Sequence, residues 1–212
     1  DSDAATATTG APAPTEAPAT TAAPTEPTEP ATTETPVPTD PATIEAPATT
    51  EAPSDGVLEV PGEFATIQEA VDAAVPGDLV LIAPGTYHEA VDVSTDGIVI
   101  RGLDRDTVVL DGELELDNGI RVLGAQDVAV ENLTAMNYTN NGVYWVGSTG
   151  YRASYITTYR TGDYGVYAFD STNGLIEQSH TIGSRDAGVY IGQCYPCDAV
   201  IRHVESTNNG LG

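Results

Sequence analysis

Two cysteines, Cys194 and Cys197, are spaced C-x-x-C within "IGQCYPCDAV". That spacing serves a redox couple, half of a metal site, or a disulfide across a turn. Arg121, Tyr144, Tyr167 and Tyr190 recur at intervals of 23 residues. A row of tyrosines combines apolar ring area with hydroxyls, which suits contact with sugar rings. Asp163, Asp170 and Asp186 are candidates for an acid–base pair, because glycoside hydrolysis needs two carboxylates about 5–9.5 Å apart. The alternative is that these acids cap and solvate turns. His88, His180 and His203 are scattered and show no metal-ligand spacing. No residue is assigned a catalytic or metal-binding role on these patterns.

What positions these groups is a repeat. A glycine followed by an aliphatic residue returns at Gly97, Gly119, Gly142, Gly165, Gly188 and Gly210, at spacings of 22, 23, 23, 23 and 22. Four of the six follow Asn or Asp, pairs that turn the chain cheaply at positive φ. Each glycine opens a segment of period-2 alternation, then a short turn, then a second such segment. Ile120, Val143, Val166 and Val189 align as one inward column; Val122, Trp145, Ala168 and Ile191 align as the next. Bulky Trp145 beside small Ala168 is volume compensation. Short strands joined by bends, with no helix between them, cannot build a βαβ sheet. A 22–23-residue period with stacked aliphatic columns is that of a solenoid whose coils pair in parallel. The leucine-rich horseshoe is the competitor, but its signature is absent. The reading is all-β: a right-handed parallel β-helix of about six coils over residues 55–212, stopping at "NNGLG" as though the coils continue further.

The repeat places the chemistry. Arg121, Tyr144, Tyr167 and Tyr190 lie between two inward columns, so they face outward, with coils about 4.8 Å apart. Such a ladder either only stabilises its sheet or contacts a glycan, and it is the candidate ligand-binding row. His203 aligns with Gln178 rather than His180, so the histidines do not stack. In three coils the first turn has five residues (123–127, 146–150 and 169–173); in the fourth, 192–198, it has seven. The C-x-x-C pair sits in that insertion. A thioredoxin-like redox site needs a βαβ context, and zinc needs two more ligands. His203 is six residues along an extended strand, about 20 Å away. An oxidising exterior favours a disulfide between Cys194 and Cys197; free thiols and metal or redox chemistry are the alternatives. Asn132-Leu133-Thr134 and Asn137-Tyr138-Thr139 fit the N-glycosylation pattern, against which stands a plain turn role for both Asn.

Composition divides the chain. Residues 1–54 are almost entirely Thr, Pro, Ala and acid. With little apolar bulk and many prolines, the segment is read as a disordered, polyproline-like stalk or linker. Net charge is −25, and all seven basic residues are Arg. No basic patch exists to replace the counterions of nucleic acid or anionic lipid, and acidic polysaccharide is repelled unless metal ions bridge the charges. No apolar run approaches the ~20 residues of a membrane span. The chain begins at Asp1 as though processed, and the reading is an extracellular or cell-surface location.

The front end is helical. In "FATIQEAVDAAVPGD", Thr66 is the N-cap and Glu69 completes a capping box. Ile67, Ala70, Val71 and Ala74 form one stripe, and Pro76-Gly77-Asp78 ends it. Such a helix covers the N-terminal end of a solenoid core. Ile67-Gln68-Glu69-Ala70, Pro76-Gly77-Asp78, Ile82-Ala83-Pro84-Gly85-Thr86-Tyr87 and Glu89, followed by "IVIRGLDRDTVVLDG", resemble the opening of pectin-lyase-like right-handed β-helix proteins. The "NGIRV…VAVENLTAMN" units resemble the repeats of the NosD-like secreted type. That resemblance implies lyases with calcium and a catalytic Arg, polygalacturonases, or pectin methylesterases. The downstream elements of those enzymes, and the Asp-Pro-His-Glu of alginate epimerases, are absent from this stretch. NosD-like proteins are associated with copper, but no Met/His/Cys cluster is present. No cofactor is expected from these residues; calcium enters only through the resemblance, with no residue to support it. The expected function is a glycan-contacting module. The alternatives are a polysaccharide lyase, hydrolase or epimerase with its active site mostly beyond residue 212, and a structural or adhesive solenoid.

Overall fold

A computed structural model describes residues 56–211; the stalk expected over 1–54 lies outside them. Three sheets wind around one core. The first holds seven strands: β1 (Val57–Val60), β2 (Leu79–Ile82), β5 (Val99–Gly102), β8 (Ala129–Glu131), β11 (Arg152–Ser154), β14 (Leu175–Glu177) and β17 (Val200–Arg202). The second holds five: β4 (Val91–Val93), β7 (Asn118–Leu123), β10 (Asn141–Val146), β13 (Val166–Phe169) and β16 (Val189–Gly192). The third holds six: β3 (Gly85–Tyr87), β6 (Val108–Asp111), β9 (Thr134–Met136), β12 (Thr157–Tyr159), β15 (His180–Ile182) and β18 (Glu205–Thr207). Neighbours in each sheet run parallel, as in β7–β10, β11–β14 and β12–β15. The described residues therefore form a parallel β-solenoid of seven coils, one more than the glycine repeat indicates. The added coil is the first: after β1 it carries a helix, so it breaks the 22–23-residue pattern.

The inward columns are those the alternation predicts. Val143 pairs with Ile120 and Val166, and Val166 with Val189. Trp145 pairs with Val122 and Ala168, and is fully buried. Ile98, Ile100, Val130, Ala153 and Ile176 continue the core under the first sheet.

The recurrent glycines have a different role from the expected one. Of the six, Gly97 has positive φ (67°), but Gly119, Gly142, Gly165, Gly188 and Gly210 do not. They are spacers. A Cβ at Gly142 would lie 2.7 Å from the carbonyl oxygen of Gly165, and one at Gly165 would lie 2.6 Å from that of Gly188. Left-handed residues instead mark the corners, in four columns. They are Gly124, Gly147, Asp170 and Gln193; Asp127, Gly150, Asn173 and Asp198; Asn132, Tyr155, Gln178 and His203; and Asn137, Arg160, Gly183 and Asn208. His203 thus aligns with Gln178, while His180 pairs with Thr157 and Glu205. Both sequon asparagines are corner residues with engaged amides. Asn132 donates to the Gly102 carbonyl (2.8 Å) and Asn137 to the Asp111 carboxylate (2.8 Å).

The helix, α1, spans Ile67–Ala73, with Thr66 as N-cap and a complete capping box with Glu69. Ile67, Ala70 and Val71 are buried, and the helix packs on β1, β2 and β4. The Glu89 carboxylate accepts from the Ile67 and Gln68 N–H groups, both at 3.1 Å. These are unpaired donors of the first helical turn, where negative charge is favourable. Gln68 then does what a neighbouring strand would do for β4: its side chain donates to the Asp92 carbonyl (3.0 Å) and accepts from the Asp92 N–H (2.8 Å).

Candidate functional site

The outward row on the second sheet begins one coil earlier than the sequence repeat suggests. Asp92 pairs with Arg121, Arg121 with Tyr144, Tyr144 with Tyr167, and Tyr167 with Tyr190. Strand register thus brings all four predicted residues into one column, with Asp92 at its foot. Arg121 donates to both Asp92 carboxylate oxygens, Nε at 2.8 Å and a terminal nitrogen at 2.7 Å. This fork geometry, with Asp92 itself gripped by Gln68, fixes the guanidinium. The hydrogen bond to Asp92 also raises the Arg121 pKa, against a smaller opposing effect of burial.

Above Arg121 the rings stack. Tyr144 and Tyr167 have centroids 4.8 Å apart and planes within 6°. Tyr167 and Tyr190 are 5.4 Å apart and tilted by 33°. Tyr164 joins them, stacked on Tyr190 at 4.9 Å and tilted against Tyr167 at 4.6 Å. Phe169 meets Tyr167 edge-on at 6.1 Å. Ring faces that cover one another are not open to a ligand. The row offers ring edges and hydroxyls instead of the flat faces expected from composition.

These phenols are weak acids. Burial, with the neighbouring Tyr144, Tyr164 and Tyr190 and the charge of Asp163, pushes Tyr167 up to about 12. Burial raises Tyr144, opposed by Arg121. Burial, the charge of Asp186 and a hydrogen bond to it raise Tyr164. The row therefore presents neutral hydroxyls at Tyr144 and Tyr167 and a paired guanidinium at Arg121. Nothing in it is a ready base or nucleophile.

A second row runs beside the first. The N–H of Asn140 donates to the Asp117 carbonyl (2.8 Å), that of Asp163 to Asn140 (2.8 Å), and that of Asp186 to Asp163 (3.0 Å). Asp117, Asn140, Asp163 and Asp186 thus form an acidic ridge, stitched to the ladder where Tyr164 meets Asp186. Of the three candidate carboxylates, Asp163 and Asp186 are neighbours. Asp170 lies elsewhere, in the corner column of Gly147 and Gln193 at the far end of the strand, so the three do not gather. At the foot of the ladder, Asp92, Glu115, Leu116, Asp117 and Arg121 line a cleft of about 300 Å³.

Cys194 and Cys197 form a disulfide. Among the described residues no group of three or more His, Cys, Asp or Glu side chains could hold a metal ion. The Nδ1 atom of His88 lies 3.0 Å from the Asp111 carbonyl. Three other arginines lie on the first sheet, neutralised by carboxylates: Arg101 and Arg152 both bind Glu131, and Arg202 binds Glu177. Sequence reasoning missed Asp92 and Tyr164. For Asp92 the signal was "VDV", which copies the apolar–charged–apolar order of "IRV". For Tyr164 there was none, since its position holds Asn118 and Asn141 in the preceding coils.

No protein-family model matches the chain. No curated protein matches it significantly. Solved structures do. An alginate lyase from Paenibacillus sp. str. FPU-7 is 20% identical with a TM-score of 0.54, over 70% of this chain and 57% of the lyase. ORF18 of Geobacillus virus E2 is 15% identical with a TM-score of 0.53, over 72% of this chain and 39% of that protein. A pectin methylesterase in complex with hexasaccharide VII is 14% identical with a TM-score of 0.46, over 69% of this chain and 64% of the esterase. At these identities the likeness to the lyase and the viral protein is one of fold alone. The chain spans 57% of the lyase and 39% of the viral protein, and function must be argued from the site.

Proposed function

We propose that the chain is a glycan-contacting module of a secreted or cell-surface protein, with Arg121, Tyr144, Tyr167 and Tyr190 as its contact row. The observation that carries this is the in-register column of partly buried tyrosines above an acid-lined cleft. It is a row of hydroxyls at the spacing of the strands, able to hydrogen-bond repeatedly along a polymer. Neutral phenols and a paired Arg121 favour contact over catalysis. The acidic ridge beside the row favours an uncharged glycan over a polyuronate. Helix α1 covers the first coil, and residues 1–54 serve as the stalk. The Cys194–Cys197 disulfide supports an extracellular location.

The test is affinity electrophoresis of the full chain through gels containing xylan, mixed-linkage β-glucan or polygalacturonate. Wild type is retarded by a neutral polymer, and Tyr144→Ala or Tyr190→Ala relieves the retardation. Unchanged retardation in both variants sinks the proposal. A second reading, a polysaccharide lyase or hydrolase, draws on the cleft that gathers Asp92, Glu115, Asp117 and Arg121. Release of shortened chains from uronate polymers, with or without calcium, would favour it.

A further inference from the structure

The corner after β16 departs from its three counterparts. In those, the two left-handed residues are three apart: Gly124 and Asp127, Gly147 and Gly150, Asp170 and Asn173. Here they are Gln193 and Asp198, five apart. Backbone pairing with the preceding coil is kept on both sides of the two extra residues. The Asp170 N–H still donates to the Gly192 carbonyl before them (2.9 Å), and the Asn173 N–H to the Cys197 carbonyl after them (3.0 Å). The insertion is therefore extruded outward.

At its apex stands Tyr195. Its relative exposure is 102%, so the side chain is as open to water as in an extended peptide. The disulfide between Cys194 and Cys197 closes the loop around it. A cross-link over four residues is at the low end of what such a bridge removes from the unfolded chain. Its main consequence is local: it restricts the loop that carries Tyr195. The neighbouring ladder ring also leans toward this corner. A Cβ at Gly192 would lie 2.8 Å from the Tyr190 hydroxyl. The other coils hold Leu123, Val146 and Phe169 at that position, and only glycine leaves room for the ring.

We propose that Tyr195 is the sugar-stacking platform of the glycan-contact face, and that the Cys194–Cys197 bridge is its positioning device. The inference rests on the glycan reading of the ladder and supplies what the ladder lacks. The faces of Tyr144, Tyr167, Tyr164 and Tyr190 are engaged with one another, whereas no described residue covers either face of Tyr195. Tyr195 follows Tyr190 by five residues, which limits their Cα separation to about 18 Å. One oligosaccharide segment can then stack on Tyr195 and hydrogen-bond to the row. Rigid aromatic anchors bind well because little conformational freedom is lost when they engage.

The same gels, with xylan or mixed-linkage β-glucan, test it on the full chain. Tyr195→Ala weakens binding at least about tenfold, and Tyr195→Trp retains it. The double variant Cys194→Ser/Cys197→Ser weakens it about 2- to 10-fold, by releasing the anchor. Thermal midpoints of the Tyr195 variants stay near wild type, because the side chain touches no core. If Tyr195→Ala binds like wild type while Tyr144→Ala or Tyr190→Ala does not, the platform is overturned and the ladder reading stands. Wild-type binding by the double cysteine variant overturns the positioning role. Failure of wild type to bind either polymer overturns both readings.

Discussion

Gly147 and Gly165 look alike in the sequence, each beside an aliphatic strand, yet they should respond to substitution in opposite ways. Gly147 is a corner residue with φ of 64° and nothing within 4 Å of a built Cβ. Alanine there meets no obstacle but must hold a left-handed backbone, a strain of about 1–2 kcal/mol. Gly165 has ordinary φ, but its Cβ would lie 2.6 Å from the Gly188 carbonyl oxygen and 2.3 Å from Thr158 Oγ1. Thr158 is fully buried, and the Gly188 carbonyl accepts the Val166 N–H at 2.9 Å. Alanine there forces overpacking of about 1–3 kcal/mol and weakens a hydrogen bond of about 0.5–1.5 kcal/mol. The combined loss is about 2–4 kcal/mol. Asparagine separates the mechanisms. It tolerates the left-handed region, and the same corner already holds Asp170 and Gln193. Gly147→Asn should therefore be milder than Gly147→Ala, and Gly165→Asn worse than Gly165→Ala. Urea unfolding followed by the fluorescence of Trp145, the single buried tryptophan, reads the midpoints directly. The reasoning is refuted if Gly147→Asn is no better than Gly147→Ala, or if Gly165→Ala unfolds with wild type.

Two further outcomes are expected. Glu89→Ala leaves the Ile67 and Gln68 N–H groups without their acceptor and costs about 1–2 kcal/mol in thermal or urea unfolding; an unchanged midpoint would make that carboxylate dispensable. Stability should fall at high pH. Burial pushes Tyr151 and Tyr167 up to about 12 and also raises Tyr144 and Tyr164, while an unfolded tyrosine titrates near about 10. The folded state holds these protons more tightly, so their contribution is complete below about pH 10 and lost as pH rises through about 12. Tyr167→Phe should flatten part of the fall in urea midpoint, and a level profile across that window contradicts the assignment.

The aliphatic columns were legible because a coil of fixed length puts Ile120, Val143, Val166 and Val189 in phase, and period-2 alternation then assigns each neighbour a face. Arg121 and the three tyrosines followed from the same arithmetic. Asp92 escaped it because 29 residues, not 23, separate it from Arg121; the coil between them is longer, and counting alone loses the phase. Tyr164 escaped for a different reason. Its placement depends on two rings and the Asp186 carboxylate, contacts that exist only after the coils have stacked. The glycines show the same limit: whether a glycine is present for its torsion or for its missing Cβ is decided by the next coil, not by its neighbours in sequence. The capping box, by contrast, was legible because Thr66 and Glu69 are three residues apart and depend on nothing distant.

The corner that accepts two extra residues has an evolutionary and practical consequence. At 124–127, 147–150, 170–173 and 193–198 the chain turns between left-handed residues; the first three corners send only the small side chains of Ala125, Ser148 and Ser171 inward, while Trp145, Ala168 and their columns fill the interior between the strands. Corner length and the packing of the strand columns are thus specified by separate residues. A coil can lengthen its corner, as the last has done, with the strands on either side still in register with the coil before. Adjacent corners sit one strand spacing apart, about 4.8 Å, so loops grafted at these four places would emerge side by side from a single edge. The solenoid could then exchange one recognition surface for another by changing corner sequences alone.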